Sequence, residues 1–218
     1  MHQPPTVIKP TDGCNFMMAA LVARDSGNRA LFIYSTLEEF IVSVLRYSPR
    51  HQWVRLRAQE LLLDARRKGG MVCQDPSGLS LAQLAALVWS RHTGEYIEST
   101  IGAGRRYASL CADDLVADPV PAVVSLCRYF SLPVDDDTVR EAVSQAETDV
   151  NAKARHERFD ANDRNTAYNA TRESYGKDID NALSWAEMVF SGRDLAAALP
   201  RSLSAVVLDD RFFRGKSR

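Results

Sequence analysis

Two short apolar runs near the start of the chain, Thr6-Val7-Ile8-Lys9-Pro10 and Ala30-Leu31-Phe32-Ile33-Tyr34, set the tightest limit on the fold. β-Branched and aromatic side chains gathered over five residues and bounded by turn formers are the pattern of buried strands. Between the runs, Phe16, Met17, Ala20 and Leu21 recur at the spacing of one helix face, and Gly27-Asn28 supplies a stop. Strand, helix and strand in so short a stretch predict a βαβ unit with parallel strands, because a crossover helix returns the chain to run in the same direction.

Helical signals dominate from residue 36 onward. Thr36 with Glu39 three positions on is a capping-box pair, and Leu37, Phe40, Ile41, Val44 and Leu45 form one apolar stripe, which together predict a helix. Residues 50–68 continue as a helical segment with Trp53, Leu56, Leu61 and Ala65 on one face, ended by Gly69-Gly70. Ser80 with Gln83 repeats the capping spacing and opens a helix to Thr100, with Leu81, Leu84, Ala85, Val88 and His92 along it. Gly102-Ala103-Gly104 breaks the chain before residues 106–111, which read as a third strand. Asp118 as N-cap and Pro119 at the first helical position open a helix carrying Val123, Leu126, Cys127 and Phe130, closed by Leu132-Pro133. A helix over 135–147 starts in an acidic triplet suited to the positive end of the helix dipole. Residues 149–177 are polar without apolar period and are expected as an extended surface segment; Ile179, Leu183, Ala186 and Phe190 mark a last helix. Residues 1–195 are expected as one α/β domain and 196–218 as a tail.

With 218 residues, 45% of them hydrophobic and 25% charged, the chain can build a full core. Lys and Arg total 27 against 28 Asp and Glu, so a net charge of -1 gives no global attraction to nucleic acid or to an anionic membrane. Cys14, Cys73, Cys111 and Cys127 lie far apart with no C-x-x-C spacing, so they are expected as reduced core residues and no metal site is expected. No basic region followed by an apolar stretch opens the chain and no long apolar run occurs, so a cytoplasmic location without a membrane span is the expectation. H-E-x-x-H, G-x-S-x-G and G-x-x-x-x-G-K-[ST] are absent, and Gly102-x-Gly104, lacking a third glycine, reads as a helix-terminating turn. One stretch departs from charge balance. Arg46, Arg50, Arg55, Arg57, Arg66, Arg67 and Lys68 face only Glu60 and Asp64, a patch that suits a phosphate, a sulfate or an acidic partner, or a solvated helix face.

Three segments then fall into a familiar order: Val7-Ile8-Lys9-Pro10-Thr11; the strand, turn and helix from Ala30 to Ser43; and Asp113-Asp114-Leu115-Val116-Ala117-Asp118-Pro119, followed by Arg128-Tyr129-Phe130-Ser131-Leu132-Pro133. In order and spacing they resemble the nucleotide-dependent sulfotransferases, which move a sulfuryl group from 3′-phosphoadenosine-5′-phosphosulfate to a hydroxyl or amine. The first is similar to the strand bearing a family lysine and, two residues later, a catalytic base. The second is similar to the segment that binds the nucleotide 3′-phosphate, and the third to the acidic E-D-L-x-x-D-P stretch with its phenylalanine-leucine-glycine-leucine turn. The resemblance implies an α/β fold, a three-layer parallel sheet with helices on both faces in a P-loop NTPase-like sulfotransferase architecture. It also implies 3′-phosphoadenosine-5′-phosphosulfate as co-substrate, an adenosine 3′,5′-bisphosphate-type nucleotide as partner, and a small-molecule acceptor that no residue names.

The resemblance assigns Lys9 to polarising the leaving group or the acceptor. Thr11 stands at the base position and cannot take a proton at neutral pH, which leaves Asp12 as candidate base. In the family an arginine and a serine eight residues apart hold the 3′-phosphate; here the positions are Ser35 and Ser43. A hydroxyl offers one neutral hydrogen bond where a guanidinium offers a charge-assisted fork, and Arg46, one turn beyond Ser43, is the nearest replacement cation. The family's first strand and 5′-phosphosulfate loop, which stabilise charge on the transferring group, lie upstream of the segment matched by Thr6 and have no counterpart in this sequence. The expectation is therefore either the C-terminal part of a longer product or a divergent member keeping the 3′-phosphate half of the site, with a non-catalytic binding or assembly module as the alternative. Loss of the first strand would leave a sheet edge that a homodimer could cover. His92 reads as a packed histidine, and Trp53, Trp89 and Trp185 as core aromatics, with Trp89 or Tyr96 as alternative acceptor-site rings.

Overall fold

The computed structural model describes residues 6–9, 15, 17–67, 76–101, 106–148, 161–190, 195–199 and 202–203. In chain order these hold α1 (Met18–Ala23), β1 (Ala30–Tyr34), α2 (Leu37–Arg46), α3 (Pro49–Arg67), α4 (Leu81–Thr100), β2 (Tyr107–Cys111), α5 (Ala112–Ala117), α6 (Pro119–Tyr129), α7 (Asp136–Thr148) and α8 (Ala161–Val189). The fold is α/β and mostly helical. The chain divides into two compact units, one of Met1–Tyr34, Ser99–Ala161 and Leu199–Arg218, the other of Ser35–Glu98 and Asn162–Ala198. Among the described residues no helix is long and apolar enough to cross a membrane.

In the strand-bearing unit β1 and β2 pair in parallel, Ala30 opposite Tyr107 through Tyr34 opposite Cys111. The predicted partner of β1 is different: residues 6–9 lie in neither strand nor helix, and Val7 and Ile8 are exposed, so this run does not supply the buried strand its composition implied. Tyr107, Ala108, Ser109 and Leu110 are all buried, the consecutive burial of a parallel strand covered on both faces. The described residues thus hold a two-stranded sheet rather than the wider three-layer sheet expected. Residues 113–117 of the acidic stretch form most of α5, and Asp118 stands at the expected N-cap position of α6 with Pro119 next to it, although its side chain makes no cap bond.

Tyr129 at the end of α6 organises this unit's core with Ala108, Leu110 and Leu203. Its buried hydroxyl donates to the Ala30 carbonyl at 2.9 Å, tying α6 to β1. The Arg29 guanidinium lies 5.7 Å from the Tyr129 ring centre and donates to the Tyr129 carbonyl. α6 ends in a Schellman turn: Leu132 N–H donates to Cys127 O at 2.8 Å and Ser131 N–H to Arg128 O at 3.0 Å. Ser131 takes the left-handed conformation this turn needs, with φ 55°. Cys111 and Cys127 are free, half-buried thiols pushed up by burial; Cys14 and Cys73 lie outside the described residues.

The helical unit packs α2, α3, α4 and α8 around Ile41, Val44, Val54, Leu61, Leu87, Val88 and Ile179. Both predicted caps form. Thr36 Oγ1 accepts from Glu39 N–H at 3.3 Å, and Ser80 and Gln83 bond reciprocally, Gln83 N–H to Ser80 Oγ at 3.2 Å and Ser80 N–H to Gln83 Oε1 at 2.9 Å. The buried face of α3 is Val54, Ala58, Leu61, Leu62 and Ala65, so the predicted face is rotated: Trp53 and Leu56 turn outward, 36% and 53% exposed. Trp53 is accordingly not a core aromatic; it meets Phe40 edge-on.

α8 takes up residues 161–177 of the segment expected as extended, whose earlier part, 149–160, lies outside the described residues. Its polar turns are held by partners on α2: Arg164 bonds Glu39 Oε1 at 3.2 Å, the Tyr168 hydroxyl donates to Glu38 Oε1 at 2.8 Å, and Arg172 Nε meets the same oxygen at 2.9 Å. Helical geometry lapses only at Tyr175 before Ile179, Ala182 and Ala186 dock into the core.

Candidate functional site

The corner between α2 and α3 gathers the candidate site. Arg46 closes α2, Tyr47 is extended, and Pro49 starts α3, its fixed φ suited to a first helical turn. Arg50 N–H donates to Tyr47 O at 2.8 Å and His51 N–H to Ser48 O at 3.0 Å, so the chain turns sharply and the first turn of α3 folds back on the last turns of α2. There Arg50 Nη1 donates to Ser43 Oγ at 2.7 Å, while Ser43 Oγ–H donates to Phe40 O at 2.9 Å.

The electrostatics of this corner are unfavourable as they stand. Arg50 is half-buried, and its pKa is lowered, first by burial and then by the neighbouring Arg46, with Tyr47 opposing. It also sits in the first turn of a 19-residue helix with no acidic residue in that turn, against the positive end of the dipole. Among the described residues no carboxylate pairs with Arg46 or Arg50. The corner thus sets two cations and a hydroxyl at the positive end of a helix, groups of the kind that hydrogen-bond small anions.

Of the candidate residues, Ser35, Ser43 and Arg46 lie in the helical unit. Ser43 lies at the centre of this corner and Arg46 beside it. Ser35 precedes α2, and the helical rise from Thr36 to Ser43 is about 10 Å, too far for two short hydroxyl side chains to share one phosphate. The Ser35 carbonyl instead accepts the Trp89 indole N–H at 2.9 Å. Lys9 is exposed in the strand-bearing unit, and Asp12, with Thr11, lies outside the described residues. His92 Nε2 accepts from Arg57 Nε at 3.1 Å, and Arg57 also bonds Glu60 at 3.0 Å, so one cation of the basic patch is spent on internal contacts. Tyr96 is 1% exposed and belongs to the interior. The Arg66 side chain and Lys68 lie outside the described residues.

Sequence reasoning placed Arg50 in the basic patch without linking it to Ser43. The available signal was Ser48-Pro49, which ends one helix and starts the next and so turns Arg50 back toward α2. Compared with known protein families, curated proteins and solved structures, the chain matches none of them.

Proposed function

We propose that this chain is a divergent sulfotransferase-like protein that keeps the 3′-phosphate half of the nucleotide site, with Arg50 and Ser43 as phosphate ligands and Arg46 beside them. The observation that carries the reading is the Arg50–Ser43 pair, a half-buried guanidinium on a hydroxyl, with no carboxylate among the described residues paired to Arg50. The arginine absent from position 35 is replaced in function by one from the next helix. A phosphate dianion receives charge-assisted bonds from Arg50, relieves its repulsion with Arg46, and takes the Ser43 hydroxyl once that group turns from Phe40 O, an exchange of bonds worth about 1 kcal/mol against about 1.5–3 kcal/mol for bonds to a charged group. On this reading β1 and β2 belong to a P-loop-type parallel sheet.

The parent chemistry is in-line transfer of the sulfuryl group of 3′-phosphoadenosine-5′-phosphosulfate to a hydroxyl or amine, with Lys9 on the leaving group or acceptor and Asp12 as base. A module that binds the nucleotide without turning it over is the second reading, favoured by Ser35 and Thr11 at the positions where the family carries arginine and a base. Calorimetric titration with adenosine 3′,5′-bisphosphate tests the shared element. Micromolar binding is expected, weakened about tenfold or more by Arg50→Gln, the loss of one charged hydrogen bond. Equal affinity for adenosine 5′-monophosphate, or no effect of Arg50→Gln, overturns the reading. Sulfuryl transfer by the bound complex then separates enzyme from module.

A further inference from the structure

A cleft of about 310 Å³ opens in the helical unit between the first turn of α2, the middle of α4 and the last turns of α8. That volume lies at the lower end of small-molecule sites, about 300–1,000 Å³. Its walls are apolar, chiefly Leu37, Trp89, Leu183 and Phe190. Both aromatic walls are held in place: the Trp89 indole N–H is bonded to Ser35 O at 2.9 Å, and Phe190 meets Trp185 edge-on with ring centres 6.2 Å apart. Fixed aromatic surfaces lower the ordering cost of binding a flat apolar group.

The charge of the lining is one-sided. Among the described lining residues Glu187 alone is charged, and no described cation pairs with it. With no counter-cation among the described residues, a carboxylate beside aromatic rings attracts an ammonium group and repels an anion. The cleft therefore calls for the opposite charge to the Arg50 corner, and shares no residue with it.

We propose that this cleft binds a small organic amine, its ammonium group against Glu187 and its apolar or aromatic body against Trp89, Leu183 and Phe190. The inference stands whether or not the nucleotide reading holds.

Phenethylamine, 2-phenylethanol and 3-phenylpropionate serve as cationic, neutral and anionic probes of similar shape. They are titrated into the full chain and into Glu187→Gln, following the three indole N–H resonances by ¹H–¹⁵N NMR, with assignment by single Trp→Phe variants. Glu187 is exposed, so the variant keeps its fold, checked by an unchanged melting curve. Phenethylamine is expected to move the Trp89 resonance and leave that of Trp53 in place. It should bind about fivefold more tightly than 2-phenylethanol, the scale of an exposed charge pair, and Glu187→Gln should abolish that preference. A Trp89 resonance that phenethylamine does not move overturns the site. Equal binding of all three probes, or a preference for the amine that survives Glu187→Gln, overturns the assignment of ligand class.

Discussion

Replacing Ile179 by alanine tests the docking of α8 through its second half, where Ile179, Leu183, Ala186 and Phe190 mark a helix in the sequence. Ile179 is fully buried in the core of the helical unit, so the substitution deletes three carbons from a site closed on all sides. At about 0.8 kcal/mol per methylene the transfer loss alone is about 2.4 kcal/mol. A partly relaxed cavity brings the expected cost to about 3–4 kcal/mol, within the range of large-to-small core substitutions. Met188 lies on the same helix but is 72% exposed, and Met188→Ala should change stability by no more than about 0.5 kcal/mol. Urea unfolding followed by far-ultraviolet circular dichroism reads both, with the slope against denaturant as a check that the unfolded state is unchanged. If Ile179→Ala costs as little as Met188→Ala, the helix does not dock through this face and the packing of the unit is wrong.

Tyr129→Phe removes the buried hydroxyl that donates to Ala30 O, for a loss of about 0.5–1.5 kcal/mol in the same assay. Ser131→Gly relieves a left-handed backbone strain of about 1–2 kcal/mol but costs about 0.5–1 kcal/mol of chain entropy and the hydrogen bond from Arg29 to Ser131 Oγ, so stability in urea should stay within about 0.5 kcal/mol of the parent's, whereas Ser131→Val, with a β-branched side chain in the left-handed region, should lower it. Burial, and then the Glu38 carboxylate, push the Tyr168 phenol up to about 12. Its folded pKa therefore exceeds that of the unfolded chain near 10, and the stability it contributes is complete below about pH 10 and lost as the pH climbs through about 12. Burial also raises Tyr107 and Tyr129, so phenolate absorbance at 295 nm should show several late-titrating tyrosines, of which Tyr168→Phe removes one, and an unchanged titration curve would contradict the contact with Glu38.

What the sequence disclosed was local. Thr36 with Glu39 and Ser80 with Gln83 are contacts three residues apart, so their spacing contains the whole interaction, and both caps form. Residues 106–111 read as a strand from composition, and five of them are β2; which strand it pairs with depends on residues more than 70 positions away. The first half of α8 is invisible to periodicity because Arg164, Tyr168 and Arg172 hold it through Glu38 and Glu39, over a hundred residues earlier. On α3 the large side chains Trp53 and Leu56 point sequence reasoning to the wrong face, whereas the buried one is partly built from Val54, Ala58 and Ala65. For the candidate site, Ser43 and Arg46 were readable as helix neighbours. Arg50 was not, because its contact with Ser43 exists only once the turn at residues 47–49 is folded.

Phosphorus NMR of adenosine 3′,5′-bisphosphate during titration with the protein tests the central claim most directly, since the two phosphates give separate resonances. The account predicts that the 3′-phosphate resonance moves on binding, more than the 5′ resonance does, and that Arg50→Gln suppresses that movement. A shift confined to the 5′-phosphate, or none with the folded chain, would contradict a 3′-phosphate site at Ser43 and Arg50.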